Sequence, residues 1–303
     1  MFKIITIPDD TEFDDVEQLG SRSKYWYTYD GKRHLFKMGR ADTGENWSEK
    51  VASELCELLG IPHAGYELAV WRGMKGVLSP NFVPNGGRLV HGNELLAKVS
   101  PGYEASRKFR QRQHTLGSVL AIIKNIMDPP IGWVNDECIE TAVEVFLGYL
   151  MLDTLIANQD RHHENWGLVL DMEKPRVHLA PTFDHASSFG SHETDENREK
   201  RLRTKDEGQG MHRYVERARS AFYLSPADTK PMLTIEVLQK AAKKWPHAAK
   251  SWLGRLEALS PQVTQEIFDL IPKSEISPVS LEFAQMMLIL NRQRLLDLKR
   301  DLP

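Results

Sequence analysis

Asn158-Gln159-Asp160-Arg161-His162-His163-Glu164-Asn165 is a polar knot set behind a long apolar segment, and its reading decides the rest. Before it, Ile139, Val143, Phe146 and Leu150 recur at steps of four, three and four, with other apolar residues on the sides between them. That pattern predicts a helix buried all round, its face continuing through Thr154 to Asn158. After it come two apolar runs, 166–170 and 177–179, and then Pro181-Thr182-Phe183-Asp184-His185. Phosphoryl transfer needs little covalent help from a protein. It needs a carboxylate to orient the acceptor hydroxyl, and an amide and a second carboxylate to hold magnesium on the phosphates. Asp160, Asn165 and Asp184 supply that set, and a hard cation that keeps several waters requires no more than one Asn and one Asp beside the phosphates. Taken singly, each residue also has a plain structural use: Asp160 as a turn cap, His162 and His163 as polar loop residues, Asn165 as a partner for backbone groups. A hydrolytic transition-metal cluster of His162, His163, Asp184 and His185 is weaker chemistry, because no His-x-x-x-His pair supports it and adjacent histidines seldom ligate one ion.

The chain changes texture near residue 100. Before it, short β-branched or aromatic runs at 24–29, 34–37, 66–71 and 77–82, each bounded by Gly or Pro, read as strands. One helix interrupts them, because Val51, Leu55, Leu58 and Leu59 fall at helical spacing and Gly60 and Pro62 stop the run. After residue 115 helical periodicity dominates, with further helices over 235–242, 247–259, 262–271 and 281–298, the last capped by Ser280. The basic, apolar-poor stretch 101–112 reads as an exposed linker or flexible loop, and 191–219, crowded with charge of both signs, as a solvated loop. Lys37 ends a short strand and Glu49 opens the first helix. They are either a surface cation and a first-turn acid complementing the helix dipole, or the ion pair that holds a lysine against nucleotide phosphates.

Asp160-Arg161-His162-x-x-Asn165, with Asp184 nineteen residues beyond Asn165, resembles the catalytic and metal loops of HipA-like serine/threonine kinases, and more distantly those of phosphoinositide lipid kinases. The N-terminal half carries the other parts of a kinase in the same order. The resemblance implies an α+β, two-lobed protein-kinase-like fold, with a small β-rich N-lobe containing one helix over residues 1–98 and a larger, mostly helical C-lobe over 99–303. It implies that Lys37 binds ATP phosphates, steadied by Glu49, which stands about one helix length before Gly60-Ile61 as in the family; Glu54 and Glu57 are the alternates. Asp160 and His162 share the catalytic assignment, with the base undecided between them, and Asn165 and Asp184 hold Mg2+. Gly20-Ser21-Arg22-Ser23-Lys24, by itself a plain turn, takes on the place of the phosphate loop, and Ser21 and Ser23 that of autophosphorylation sites. The Pro80 carbonyl and Phe82 amide take the place of the hinge groups that bind adenine, a role compatible with Pro because only its carbonyl is needed. Gly92-Asn93-Glu94-Leu95-Leu96 looks like a further family feature, without a chemical role. Arg161, where some relatives carry a small residue, either contacts phosphate or substrate or braces the loop. The chain begins almost at the phosphate loop, so a short, standalone member without an extra N-terminal subdomain is expected.

Composition sets the remaining expectations. The 303 residues are 41% hydrophobic and 27% charged, and 39 Lys+Arg against 42 Asp+Glu leave a formal net charge of −3, so nothing global asks for nucleic acid or an anionic membrane. Two cysteines, Cys56 and Cys138, are too few for a disulfide scaffold. The first residues lack the basic and apolar regions of a signal peptide, and no window nears the roughly 18 apolar residues of a membrane helix. A cytoplasmic protein without membrane or direct DNA contact is expected. Its expected function is that of an ATP- and Mg2+-dependent kinase phosphorylating Ser or Thr of a bacterial protein and of itself. The resemblance further suggests a toxin role, with an aminoacyl-tRNA synthetase or other translation factor as substrate and an antitoxin as partner. The alternatives are a nucleotide-binding pseudokinase, or a kinase of a lipid or small molecule.

Overall fold

The computed structural model describes residues 1–16, 23–134, 136–172 and 176–302. Its first sheet has six strands: β1 (Ile4–Ile7), β2 (Asp15–Val16), β3 (Lys24–Tyr29), β4 (Lys32–Met38), β5 (Glu67–Trp71) and β6 (Met74–Pro80), in the spatial order β1-β5-β6-β4-β3-β2. The β3–β4 hairpin turns on Asp30-Gly31, whose φ values of 48° and 68° are those of a tight turn matching strand twist, with Tyr29 opposite Lys32. Arg72-Gly73 makes the equivalent turn between β5 and β6, and β1 adds to β5 in parallel. Helix α1 (Glu45–Leu59) crosses between β4 and β5, and Gly60 at φ 65° closes it by donating to the Cys56 and Glu57 carbonyls. It begins two turns before the periodic apolar run, so its first-turn acid is Glu45 and not Glu49.

A second, three-stranded antiparallel sheet follows the order β7 (Arg88–His91), β8 (Gly167–Asp171) and β9 (Arg176–Leu179). By strand pairing the chain leaves the first sheet at 81–87, before the textural change near residue 100, because β7 finds its partner in a strand that comes after the polar knot. Helices α2 (Gly92–Val99), α3 (Leu116–Ile126), α4 (Ala142–Leu155), α5 (Asp195–Arg203), α6 (Met211–Glu216), α7 (Thr234–Ala242), α8 (Pro246–Ala258), α9 (Pro261–Asp269) and α10 (Pro278–Asp301) complete the α+β architecture. Helix α4 is the hub: it packs on α3, α7, α8 and α10, and every residue in it except Glu144 is buried, as its unbroken apolar girth requires. It stops at Leu155 rather than Asn158, because Ala157 at φ 51° turns the chain out of the helix.

Two expectations need correction. The 191–219 stretch is not simply a loop. Thr194 caps α5 by accepting from the Asn197 amide, Asp195 and Glu196 stand in its first turn, and Lys200, Arg201 and Arg203 stand in its last, so the mixed charge complements the helix dipole. The cap of the C-terminal helix is Ser277 rather than Ser280. With Pro278 at the first helical position, the Ser277 hydroxyl accepts from the Ser280 amide at 3.0 Å, and Ser280 instead takes a hydrogen bond from Arg198.

Candidate active site

Strand β4 carries Lys37 inward, where it is 3% exposed and paired with the fully buried Glu49 of α1. Its Nζ also donates to Asp184 Oδ1 at 2.6 Å. The second Glu49 oxygen accepts the His185 amide at 2.7 Å, so one carboxylate ties strand, helix and the 184–185 segment together. Glu54 pairs with Lys50 and Glu57 is exposed, which leaves Glu49 as the partner of Lys37. Asp184 itself lies in the left-handed region at φ 60°, a costly place for a non-glycine residue, and its amide donates to the Tyr66 hydroxyl at 3.2 Å.

The polar knot folds around Arg161, which is 1% exposed. Its guanidinium meets Asp153 of α4 bidentately at 2.8 and 2.7 Å. The same group donates to the Asn165 carbonyl at 2.8 Å and to the Phe183 carbonyl at 3.4 Å, joining the loop to the segment that bears Asp184. Burial opposes the guanidinium charge, but the facing Asp153 outweighs it and raises the Arg161 pKa. Asn158 donates to Asp153 at 2.8 Å and accepts the Asp160 amide at 3.1 Å, while Asn165 Nδ2 donates to the Asp160 carbonyl at 2.7 Å. Of the two roles open to Arg161, the structure gives it that of a brace.

The Gly92-Asn93-Glu94 segment docks on this loop. The Gly92 amide donates to the Trp166 carbonyl and the Asn93 amide to the His163 carbonyl, both at 2.9 Å, and His91 Nδ1 donates to the Glu164 carbonyl at 2.7 Å. A Cβ on Gly92 would fall inside the Trp166 indole. Gly92→Ala should therefore cost about 1–3 kcal/mol by overpacking, seen as a lowered denaturation midpoint; an unchanged midpoint would show that the indole can move aside.

A cavity of about 490 Å3 separates the two sheets, its wall including Lys24, Lys37, Phe82, Asn165 and Asp184. Pro80, at the exposed end of β6, and Phe82 both line it, and the Phe82 ring stacks on Phe183 at 5.8 Å. Asp160 lines instead an adjoining space of about 330 Å3, which it shares with Lys37 and Asp184. Ser21 lies outside the described residues, and Ser23 is placed only by its carbonyl, which accepts the Met38 amide at 3.1 Å.

His162 is buried, and its Nδ1 accepts the Glu164 amide at 3.1 Å, so its hydrogen sits on Nε2, 3.6 Å from Asp160 Oδ1. Burial first, and then the Lys108 charge, push its pKa down to about 2. Neutral and protonated at the atom facing Asp160, His162 is a donor there. The other ring partners also disperse a metal cluster: His163 Nδ1 meets the Tyr103 hydroxyl at 2.6 Å and His185 Nε2 meets Thr182 at 2.8 Å. Asn165 and Asp184 offer an amide and a carboxylate oxygen to one cavity, a donor set that fits a hard cation such as Mg2+.

A family model for the HipA-like C-terminal domain matches residues 17–245. The chain belongs to the HipA-like C-terminal domain family. Among solved structures, the Helicobacter pylori proinflammatory kinase CtkA is similar over 99% of this chain and 98% of its own, with a TM-score of 0.76 at 21% identity. HipA of Shewanella oneidensis MR-1, in its complex with HipB and operator DNA, is similar over 96% of this chain and 68% of its own, with a TM-score of 0.61 at 12% identity. No curated protein matches the sequence. The HipA-like chain therefore has the kinase-like fold that its polar knot led one to expect.

Asp153 is the residue of this HipA-like site that sequence reasoning missed. Its signal was available: a lone carboxylate near the end of a helix otherwise clad in apolar side chains needs a buried partner. Tyr66 and Lys108 were likewise overlooked, and nothing in their local sequence marks them.

Proposed function

We propose that this HipA-like chain is an ATP- and Mg2+-dependent kinase that phosphorylates Ser or Thr hydroxyls of a protein. The observation that carries the reading is the buried Lys37 held between Glu49 and Asp184, with Asn165 in the same cavity wall and Asp160 in the adjoining one. ATP enters the cavity with its adenine against Phe82 and the Pro80 carbonyl, and Lys37 meets its phosphates. Mg2+, when bound through Asn165 and Asp184, neutralises charge on those phosphates. Asp160 takes the proton of the acceptor hydroxyl as its oxygen bonds to phosphorus and ADP leaves. His162, whose hydrogen on Nε2 faces Asp160 at 3.6 Å without a hydrogen bond between them, is not the base.

Ser21 and Ser23, in the stretch preceding β3, are the proposed autophosphorylation sites. The complex of the similar HipA with HipB supports an antitoxin partner for this chain, and with it a toxin role whose target is an aminoacyl-tRNA synthetase or another translation factor. No helix among the described residues is long and apolar enough to cross a membrane; the proposed location is the cytoplasm.

The test is the purified protein with labelled ATP and Mg2+, alone and with bacterial lysate. Asp160→Asn and Asp184→Asn should each lower protein labelling by about 100-fold or more, with nucleotide binding retained in Asp160→Asn. Tight ATP binding without labelling would instead support a pseudokinase or a small-molecule acceptor.

A further inference from the structure

The stretch expected to be an exposed linker, 101–112, does more than connect α2 to α3. Lys108, Phe109 and Arg110 line a third cavity, of about 480 Å3, together with Asp160, His162 and Ser220. Lys108 also lines the cavity between the two sheets, so the two spaces meet at its side chain, with Asp160 facing the third. Phe109 is 62% exposed at the rim, its ring edge-on to His162 at 6.0 Å.

The charged lining is mainly cationic, with Lys108 paired at 3.4 Å to Glu164 on the side of the cavity between the sheets and Arg110 left as the cation for a ligand. Apart from Asp160, the charged groups among the described lining residues are the cations Lys108 and Arg110. Two buried imidazole nitrogens, His162 Nε2 and His163 Nε2, have no hydrogen-bond partner. The His162 hydrogen on Nε2 is directed at Asp160 Oδ1, 3.6 Å away, and is itself shielded from the cavity. Two cations lining a chamber beside one catalytic carboxylate make it complementary to oxygen anions.

We propose that this cavity is the acceptor site and that it selects a protein segment with acidic side chains beside the phosphorylated Ser or Thr. The inference deepens the kinase reading above and rests on it. The acceptor hydroxyl reaches Asp160, a neighbouring Glu or Asp meets Arg110 beside the Lys108–Glu164 pair, and an apolar neighbour lies on Phe109.

The experiment compares two peptides that differ only in the residues flanking one Ser, four Glu in one and four Lys in the other, with labelled ATP and Mg2+ and the full chain. The acidic peptide should have the higher kcat/KM by at least about tenfold at low salt, the preference shrinking at 0.5 M salt as screening shortens its reach. Arg110→Glu should bring the ratio down about five- to tenfold, Arg110→Lys should retain it, and neither should alter nucleotide affinity measured with a fluorescent ATP analogue. Equal or reversed preference in the unmodified chain, a ratio unmoved by Arg110→Glu, or labelling of neither peptide by a chain that binds and hydrolyses ATP would overturn the acceptor inference alone. Failure to bind nucleotide at all would overturn the kinase reading together with it.

Discussion

Arg161→Met is expected to cost about 3–5 kcal/mol of stability, because it strands Asp153 as an uncompensated charge inside the α4 hub. Asp153→Ala should cost a similar amount by stranding the guanidinium. Activity should fall further than stability explains, since Arg161 also holds the Asn165 and Phe183 carbonyls and so sets how the loop and Asp184 face one another. The double variant Asp153→Leu/Arg161→Met separates the two effects. With both charges gone, most of the lost stability should return, whereas phosphate transfer should not, because the carbonyls still lack their shared donor. Urea unfolding of the four proteins, read beside labelling from ATP, checks this. A single variant within about 1 kcal/mol of the parent would mean that water reaches the pair and that the brace is not buried in solution.

The part of the site read from sequence was the part coded locally. Asp160, Asn165 and Asp184 lie within 25 positions of one another, at the ends of segments whose apolar pattern fixes where a loop begins. The pairing of Arg161 with Asp153 was harder to see, since it requires the chain to reverse between them. That reversal rests on Ala157 in a left-handed conformation, which no propensity of alanine suggests. Strand β7 is a similar case: four residues have little pattern of their own, and their register is set by β8, which comes 79 positions later. The misplaced cap of α10 had a legible answer, because Pro278 directly after Ser277 is the usual start of a helix, while the apolar periodicity pointed further in. Mixed charge at 191–219 misled for the opposite reason. The average of the segment suggests solvation, but the order of the charges, acids first and bases last, is the order a helix prefers.

Acid should unfold this protein at a pH well above that at which carboxylates titrate, and the histidines around the polar knot are the reason. His114 is fully satisfied only when neutral: Nδ1 donates to the Ala221 carbonyl at 3.0 Å and Nε2 accepts from the Trp166 indole at 3.1 Å. Protonation would set two N–H groups against each other, in a site already too buried for a charge. Burial pushes His114 down to about 3 and His162 down to about 2, from an ordinary value of 6.5. His163 is pushed down to about 4 and His185 lies well below its ordinary value, burial again being the leading cause. The unfolded chain takes up these protons as pH falls through about 6.5 and the native chain refuses them, so the stability is whole above that pH and drains away below it. For His114 and His162 together the loss by pH 5 is about 4 kcal/mol, a large share of the roughly 5–15 kcal/mol that holds a typical domain folded. Urea midpoints measured from pH 8 to pH 5 should therefore decline steeply below pH 6.5. His114→Gln, which keeps a donor and an acceptor without a titrating group, should flatten that decline by about 1.4 kcal/mol per pH unit. A level profile down to pH 5 would contradict the neutral tautomers on which the assignment of Asp160 as base depends. Loss of kinase activity over the same window, if it tracks the unfolding, then reports on the fold.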